Sequence, residues 1–343
     1  MNPFISIFMP VYNGQAFIEH SIASIRNQTF QNWELVCVDD SSTDESFAIL
    51  QCYAEKDSRI RVFRKKNGGT VPVAWNYVRP LLRGDFILYM SQDDFLSEDM
   101  LEKCYKRQQE TNADIITADM IWYTGPECTI PLRAGVNGNR DVILTGREAF
   151  ELDLDWEIAN TSIYHRDLIM RVEFDEANYN SDDLAGRMLY FYASKVAFCS
   201  GVFYYRQNNQ SAITKKYTAL KITGLRTTLR LLELKEKYSP SKVPAQILNL
   251  YYSWCTNYYL YVLYCRKLTA QERLLVQNVL YEIFTELVAR KSHTLFPKYS
   301  RWVIYITLRH IAFLKIFSLG YGGYRLLKSR DRQKRFIKSI MGR

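Results

Sequence analysis

Over its first hundred residues the chain alternates short apolar, β-branched runs with segments of helical length. This alternation constrains the fold more than any other feature, because hydrophobic periodicity is the primary signal of secondary structure. Residues 4–11, 35–38, 60–63 and 86–90 read as strands. Residues 17–28 read as a helix with Phe17, Ile18, Ile22 and Ile25 on one side, and Ser42-Thr43-Asp44-Glu45 reads as a cap leading into a helix over 47–53. Strands separated by helices predict a parallel sheet covered on both faces. In such sheets ligands bind outside the carboxyl ends of the strands, near the point where strand order reverses. Chemistry is therefore expected in the residues that follow each strand.

All four of those places are polar. They read Pro10-Val11-Tyr12-Asn13-Gly14, then Asp39-Asp40-Ser41-Ser42-Thr43-Asp44, then Asn67-Gly68-Gly69, then Ser91-Gln92-Asp93-Asp94. No G-x-G-x-x-G opens the first helix and no G-x-x-x-x-G-K-[ST] occurs, which argues against dinucleotide binding and P-loop chemistry. Taken singly, each piece also suits an ordinary turn or helix cap, where Asp, Ser and Asn are common. Asp44 fits that plain reading best.

In this order, with Ser24-Ile25-Arg26-Asn27-Gln28-Thr29 closing the first helix, the four loops resemble the family 2 glycosyltransferases of the nucleotide-diphospho-sugar transferase superfamily. The resemblance covers about residues 4–215. It implies an α/β fold of the GT-A (Rossmann-like) type: a mostly parallel sheet with helices on both faces, followed by a C-terminal α-helical region. It further implies an inverting enzyme that moves one sugar from a nucleotide-diphospho-sugar, a UDP-sugar by preference, to a lipid-linked or polysaccharide acceptor in bacterial cell-surface glycan synthesis. No Gln-x-x-Arg-Trp motif of processive synthases follows, so a single transfer is expected.

By the same resemblance Pro10, Tyr12 and Asn13 line the base and ribose, and Asp40 with Asp39 accepts hydrogen bonds from them. Asn67 and Gly69 form the next wall, and Gln92 and Arg206 complete the nucleotide-sugar site. The family's metal motif, Asp-x-Asp, here reads Ser91-Gln92-Asp93, so its first Asp is replaced. A divalent cation, Mn²⁺ or Mg²⁺, is expected on Asp93, with Asp94 as second candidate; oxygen ligands suit both ions. Asp94 equally suits a helix cap. The catalytic base falls in a Glu-Asp pair of the family, matched by Asp182-Asp183, and is assigned to Asp183 with Asp182 behind it. Two acids at a helix start otherwise complement the helix dipole. A second departure is Ala74-Trp75-Asn76, where relatives often carry Arg at the middle position. Residues 123–144, rich in Gly and Pro, are expected to form a loop or hairpin on the acceptor side.

Charge divides the chain. The net +9 combines residues 217–343, with 23 Lys and Arg against 6 acids, and residues 1–216, with 22 against 30. The expected domains are accordingly 1–216, catalytic, and 217–343, basic and helical. In the latter, Leu225, Leu229 and Leu232 share a face, as do Tyr251, Trp254, Tyr258 and Tyr261, and Val276, Leu280, Ile283 and Leu287. Residues 298–343 hold 12 Lys and Arg against one acid, interleaved with aromatics, while residues 302–317 are broken by Arg309, His310 and Lys315 and make no clean span. That pattern suits attachment to an anionic membrane surface, at the cytoplasmic face of the cell membrane, rather than nucleic acid. Seven cysteines without a C-x-x-C pair, and an N-terminus without a basic leader, fit reduced thiols in the cytoplasm. Competing readings are a catalytically silent relative, prompted by Ser91 and Trp75, an anionic-polymer binder, and a nucleotidyltransferase on the same fold.

Overall fold

A computed structural model describes residues 2–125, 128–207 and 218–290. The chain divides into two compact units: Met1–Glu176 with Asn180–Lys215, and Ala177–Tyr179 with Lys216–Arg343.

The first unit is built on one sheet. Its central strand β1 (Ile5–Val11) lies parallel to β2 (Trp33–Asp39) on one side and β4 (Phe86–Tyr89) on the other, and β3 (Ile60–Arg64) extends from β2. The connecting helices are α1 (Ile18–Arg26), α2 (Ser46–Lys56) and α3 (Val71–Val78). Chain order therefore runs outward from β1 to β3 and returns on the far side of β1, so the switch point lies between β1 and β4. Every residue of β2 is buried, as a strand covered on both faces requires. Ile5, Ile7, Met9 and Val11 pack with Ile18, Ile22, Ile25 and Leu50 on one face. Phe8 turns to the other, against Trp75.

Beyond β4 the sheet becomes mixed. After β5 (Phe95–Leu96) and α4 (Met100–Thr111) come β6 (Ile115–Gly125), β7 (Cys128–Arg133), β8 (Ile143–Thr145), α5 (Gly146–Asp153), β9 (Ser162–His165), α6 (Arg166–Arg171), α7 (Ser181–Tyr192) and β10 (Lys195–Arg206). The sheet order is β3-β2-β1-β4-β9-β6-β10-β5, with β9 antiparallel to both neighbours and β6 parallel to β10. β6 and β7 form the hairpin expected near residue 123. Six cysteines among the described residues are free thiols.

The second unit is helical: α8 (Gly224–Tyr238), α9 (Val243–Tyr264) and α10 (Ala270–Ala289). A Thr269–Glu272 capping box starts α10. The expected leucine and valine faces meet in its core with Leu250, Tyr251 and Trp254, and the Trp254 indole N–H donates to the Leu280 carbonyl at 2.7 Å. Of the aromatic stripe, Tyr251 and Trp254 are core, and Tyr258 and Tyr261 pack against it partly buried. Among the described residues no helix is long and apolar enough to cross a membrane. The basic stretch 298–343, the broken run 302–317 and residues 208–217 lie outside the described residues.

Candidate active site

Strand register brings the polar loops together. Val11 is opposite Asp39, and Asp39 is opposite Arg64, so the carboxyl ends of β1, β2 and β3 align. Asp39 is fully buried, pairs with Arg64 at 3.0 Å and accepts from the Ser42 N–H. It holds the loop rather than presenting itself to a ligand. Asp40, at the next position, is partly exposed; its carboxylate accepts from Lys65 Nζ and from the Gly68 N–H at 2.9 Å. Asn67 donates to the Asp40 carbonyl and accepts from the Gly69 N–H, and Gly69 sits at φ +76°. Asp40, Asn67 and Gly69 thus lie together at these strand ends.

Two predicted contact residues are committed to the protein itself. Gln92 exchanges two hydrogen bonds with the Tyr12 backbone, accepting from its N–H at 2.8 Å and donating to its carbonyl at 3.0 Å. This clamp spans the switch point, and it explains Gly14: a Cβ there would lie 2.4 Å from the Gln92 side chain. Asn13, at φ +50°, accepts from the Thr43 N–H at 2.8 Å while its own N–H donates to Ser42 Oγ. Asp44 accepts from the Ser46 N–H at the start of α2, in keeping with a cap. Pro10 and Tyr12 stay at the mouth, partly exposed.

The loop after β4 is fixed from behind by Arg206. β5 pairs antiparallel with β10, with Tyr204 opposite Phe95, which carries Arg206 back to this loop. Its backbone N–H donates to Asp94 Oδ1 at 2.9 Å and its Nε to the Asp93 carbonyl at 2.7 Å. Its guanidinium lies 5.1–5.3 Å from the ring centres of Phe17, Phe95 and Tyr123 and donates to His20 Nδ1. Burial and this cation push the His20 ring below its ordinary pKa, so it accepts as a neutral base. Arg206 is therefore a clamp on Asp93 and Asp94, not a free arm for a diphosphate.

Asp93 and Asp94 are not equivalent. Asp94 is buried, and burial with the neighbouring Asp93 charge pushes its carboxyl well above the usual range. One of its oxygens, Oδ1, is already taken by the Arg206 backbone N–H. Asp93 is more exposed and remains the suitable one. Among the described residues no three His, Cys, Asp or Glu side chains form a cation cage. Mg²⁺ at phosphates commonly needs only one or two carboxylates besides phosphate oxygens and water, so Asp93 fits that simpler arrangement.

The two acids opening α7 also differ. Asp183 is held by Arg187 at 2.6 Å, with the Arg187 side chain almost wholly buried. Asp182 is free of that pair. Burial, then the Asp183 charge, raise its pKa to about 6. The Tyr89 and Tyr205 hydroxyls are raised by burial and by the charges of Asp93, Asp94 and Asp182, so the three carboxylates act on the same two phenols. Of the two expected acids, Asp183 is engaged by Arg187 and Asp182 carries the raised pKa.

Behind α7 lies a feature not anticipated from the sequence. Asp153 is fully buried and carries neither hydrogen bond on its carboxyl oxygens; burial, opposed by Arg187 and reinforced by Asp183, raises its pKa to about 7. The Asp183–Arg187 spacing of four on a helix was a readable signal for part of it. Asp153 carried none. Trp75, where relatives often carry Arg, is buried in an aromatic stack with Phe174 at 4.8 Å and Tyr89 at 5.7 Å, and Phe8 packs edge-on. Its role here is packing beneath the site.

The family model Glycosyl transferase family 2 matches residues 6–176, about half of the chain. A glycosyltransferase of Streptococcus pneumoniae, GlyG, is 26% identical over 236 residues, covering 63% of this chain and 75% of the relative. The uncharacterized glycosyltransferase EpsJ of Bacillus subtilis is 30% identical over 229 residues, 62% of this chain and 63% of its own length. Among solved structures, residues 1–349 of TarS from S. aureus align with a TM-score of 0.61 at 18% identity, covering 94% of this chain and 91% of that one. Sheet order, the loops at the switch point and these likenesses agree: the chain belongs to glycosyl transferase family 2 and is a glycosyltransferase of GT-A fold.

Proposed function

We propose that the protein transfers one sugar, with inversion, from a UDP-sugar to a hydroxyl of a lipid-linked or polysaccharide acceptor in cell-surface glycan synthesis. The observation that carries this reading is the meeting of Asp93, Asp94 and Asp182 around Tyr89 and Tyr205, with Asp182 raised to about 6. A base with a pKa near working pH is the efficient kind. TarS has been solved with UDP and with UDP-GlcNAc, and a Bacillus spizizenii relative is named a poly(ribitol-phosphate) beta-glucosyltransferase, which supports the donor and acceptor classes.

The Asp182 carboxylate takes the acceptor hydroxyl proton as that oxygen bonds the anomeric carbon. The bond from that carbon to the diphosphate oxygen breaks, its electron pair leaving with the nucleoside diphosphate. The products are a glycoside of inverted configuration, the diphosphate and protonated Asp182. Asp40, Asn67 and Tyr12 hold the nucleoside. A divalent cation on Asp93 and the diphosphate oxygens would supply charge neutralisation at the leaving group; a mannosyltransferase of the same fold, from Pyrobaculum calidifontis, was solved with GDP-Man and Mn²⁺. A calorimetric screen of UDP- and GDP-sugars, with and without Mn²⁺, is the direct test: tight UDP-sugar binding is expected, and failure of every nucleotide sugar to bind overturns the reading.

Membrane attachment belongs to the same proposal. Leu274, Tyr281 and Val288, seven residues apart on α10, are 58%, 68% and 43% exposed, an apolar stripe on a helix that precedes, along the chain, the basic sequence of residues 298–343. Flotation with anionic vesicles compares the full chain with residues 1–297, which retain both cores. Loss of binding on truncation is expected; equal binding rejects the basic segment as the anchor.

A further inference from the structure

We propose that Cys104 on α4 and Cys199 on β10 form an oxidation site, a dithiol that peroxide closes to a reversible disulfide stapling α4 to β10. The two sulfurs lie 3.5 Å apart, with Cys104 fully buried and Cys199 6% exposed. Both are free thiols in this structure. Bonding requires an approach of about 1.5 Å, to the usual S–S length of about 2.05 Å.

The fold keeps the sulfurs together. Cys104 is on the inward face of α4, with Met100, Leu101 and Gln108. Cys199 lies where the register of β10 against β6 shifts, between Phe198 and Val202. Up to Phe198 the strand is held by its pairing with β6. Immediately after Cys199 it is held by α4 and the residues before it. Lys103 Nζ donates to the Ser200 carbonyl at 3.3 Å, the Ser97 N–H donates to the Val202 carbonyl at 2.9 Å, and the Val202 N–H donates to Ser97 Oγ at 3.1 Å. Gly201 packs so closely that a Cβ there would lie 2.9 Å from Met100 Cα. Ser200, next to Cys199, is exposed, and a small oxidant arrives from that side.

The two thiols are unequal. The Cys104 S–H, donating to the Cys199 sulfur, draws the Cys199 thiol below its ordinary pKa against the opposing effect of burial, and the Gly201 N–H and Lys103 add to it. Asp119 opposes, but its carboxylate is held by Arg140 through Nε and a second nitrogen at 2.6 Å. The same hydrogen bond and burial raise Cys104. Cys199 is thus the attacking sulfur and Cys104 the resolving one. The Cys199 thiolate attacks one oxygen of hydrogen peroxide, the O–O bond breaks, and the departing hydroxide takes up the thiol proton as water, leaving a sulfenic acid. The Cys104 sulfur then attacks the Cys199 sulfur. The S–O bond breaks, and the second water leaves with the Cys104 proton. In sum two thiols lose two electrons and two protons, and one peroxide is reduced to two waters. The staple lies on the strand that ends at Arg206, the clamp on Asp93 and Asp94.

The full chain, treated with hydrogen peroxide near neutral pH, alkylated in denaturant and digested without reductant, tests this by mass spectrometry. A Cys104–Cys199 linked peptide, lighter by two hydrogens than the two thiol peptides together, is expected, and dithiothreitol should abolish it. Closing a loop of about 100 residues should also raise Tm by roughly 5–10 °C. Cys104→Ala and Cys199→Ala should each lose the link and the rise; the wild-type peptide map decides the site even where a variant does not fold. Both cysteines recovered as alkylated thiols, Cys199 carried to a sulfinic acid without a link, or links only among other cysteines would overturn the site. A linked peptide without a rise in Tm overturns the staple.

Discussion

The two ends of the site are held in opposite ways. At the ends of β1–β3, short polar side chains satisfy backbone N–H groups: Gln92 on Tyr12, Ser42 on Asn13, Ser46 on Gly14 and Asp40 on Gly68. Apart from the ion pairs of Asp39 and Asp40, little there depends on charge. At the start of α7 the arrangement is made of charges: Asp182 with its raised pKa, and the buried Asp153 and Arg187 with the partly exposed Asp183. The lesson is a division of labour. Fixed dipoles hold the ends of β1–β3 at little cost in reorganisation, whereas the α7 end keeps a carboxyl whose pKa is raised to about 6.

Changes at the charged end should cost most in rate. Asp182→Asn is expected to lower kcat by about 10²–10⁴, the usual worth of a general base, with UDP binding retained. Retained turnover would return the assignment to Asp183. In the wild type, activity should fall with pH below about 6 as Asp182 takes up its proton. Asp183→Asn removes the neighbouring charge that raises Asp182, so that limb should move to lower pH while turnover persists. A pH–rate profile that stays in place breaks the proposed contrast between the two acids.

Changes at the dipolar end should instead appear in affinity and stability. Asp40→Ala is expected to weaken UDP binding by about 10–100-fold, the worth of a charged hydrogen bond, measured by calorimetry. Trp75→Arg puts a cation into the stack with Phe174 and Tyr89, and a loss of about 3–5 kcal/mol, similar to emptying that core position, should appear in urea unfolding. Gln92→Ala opens the clamp between β1 and β4 for about 1–3 kcal/mol.

A pH-dependent effect on stability concerns Asp153. Because the folded chain holds its proton more tightly than the unfolded chain, with a pKa near 7 against the ordinary 3.8, this group makes folding less favourable as pH rises through that interval. Asp153→Asn should flatten that part of the stability–pH curve, and an unchanged curve would show that Arg187 offsets the burial fully.

Much of the donor end was legible because its residues lie next to strand ends, and local patterns of apolar run, Asp, Asn and Gly report strand ends directly. The roles of individual side chains were less so. Asn13, Gln92, Arg206 and Asp94 were read as ligand contacts, yet each is taken up by a partner 30 to more than a hundred residues away along the chain. Spacing along a sequence carries no information about such partners.

The sequence alone determined the alternation of strands and helices, the place of the acidic loops after the strands and the uneven division of charge along the chain. These follow from side-chain periodicity and chain connectivity, which are local properties. Tertiary structure decided which of two adjacent acids is paired with a buried cation and which is raised, and that Arg206 holds the Asp93–Asp94 loop. Burial and electrostatic coupling arise between groups brought together only when the sheet closes, and a step of one residue, about 100° around α7, gives neighbouring residues different surroundings.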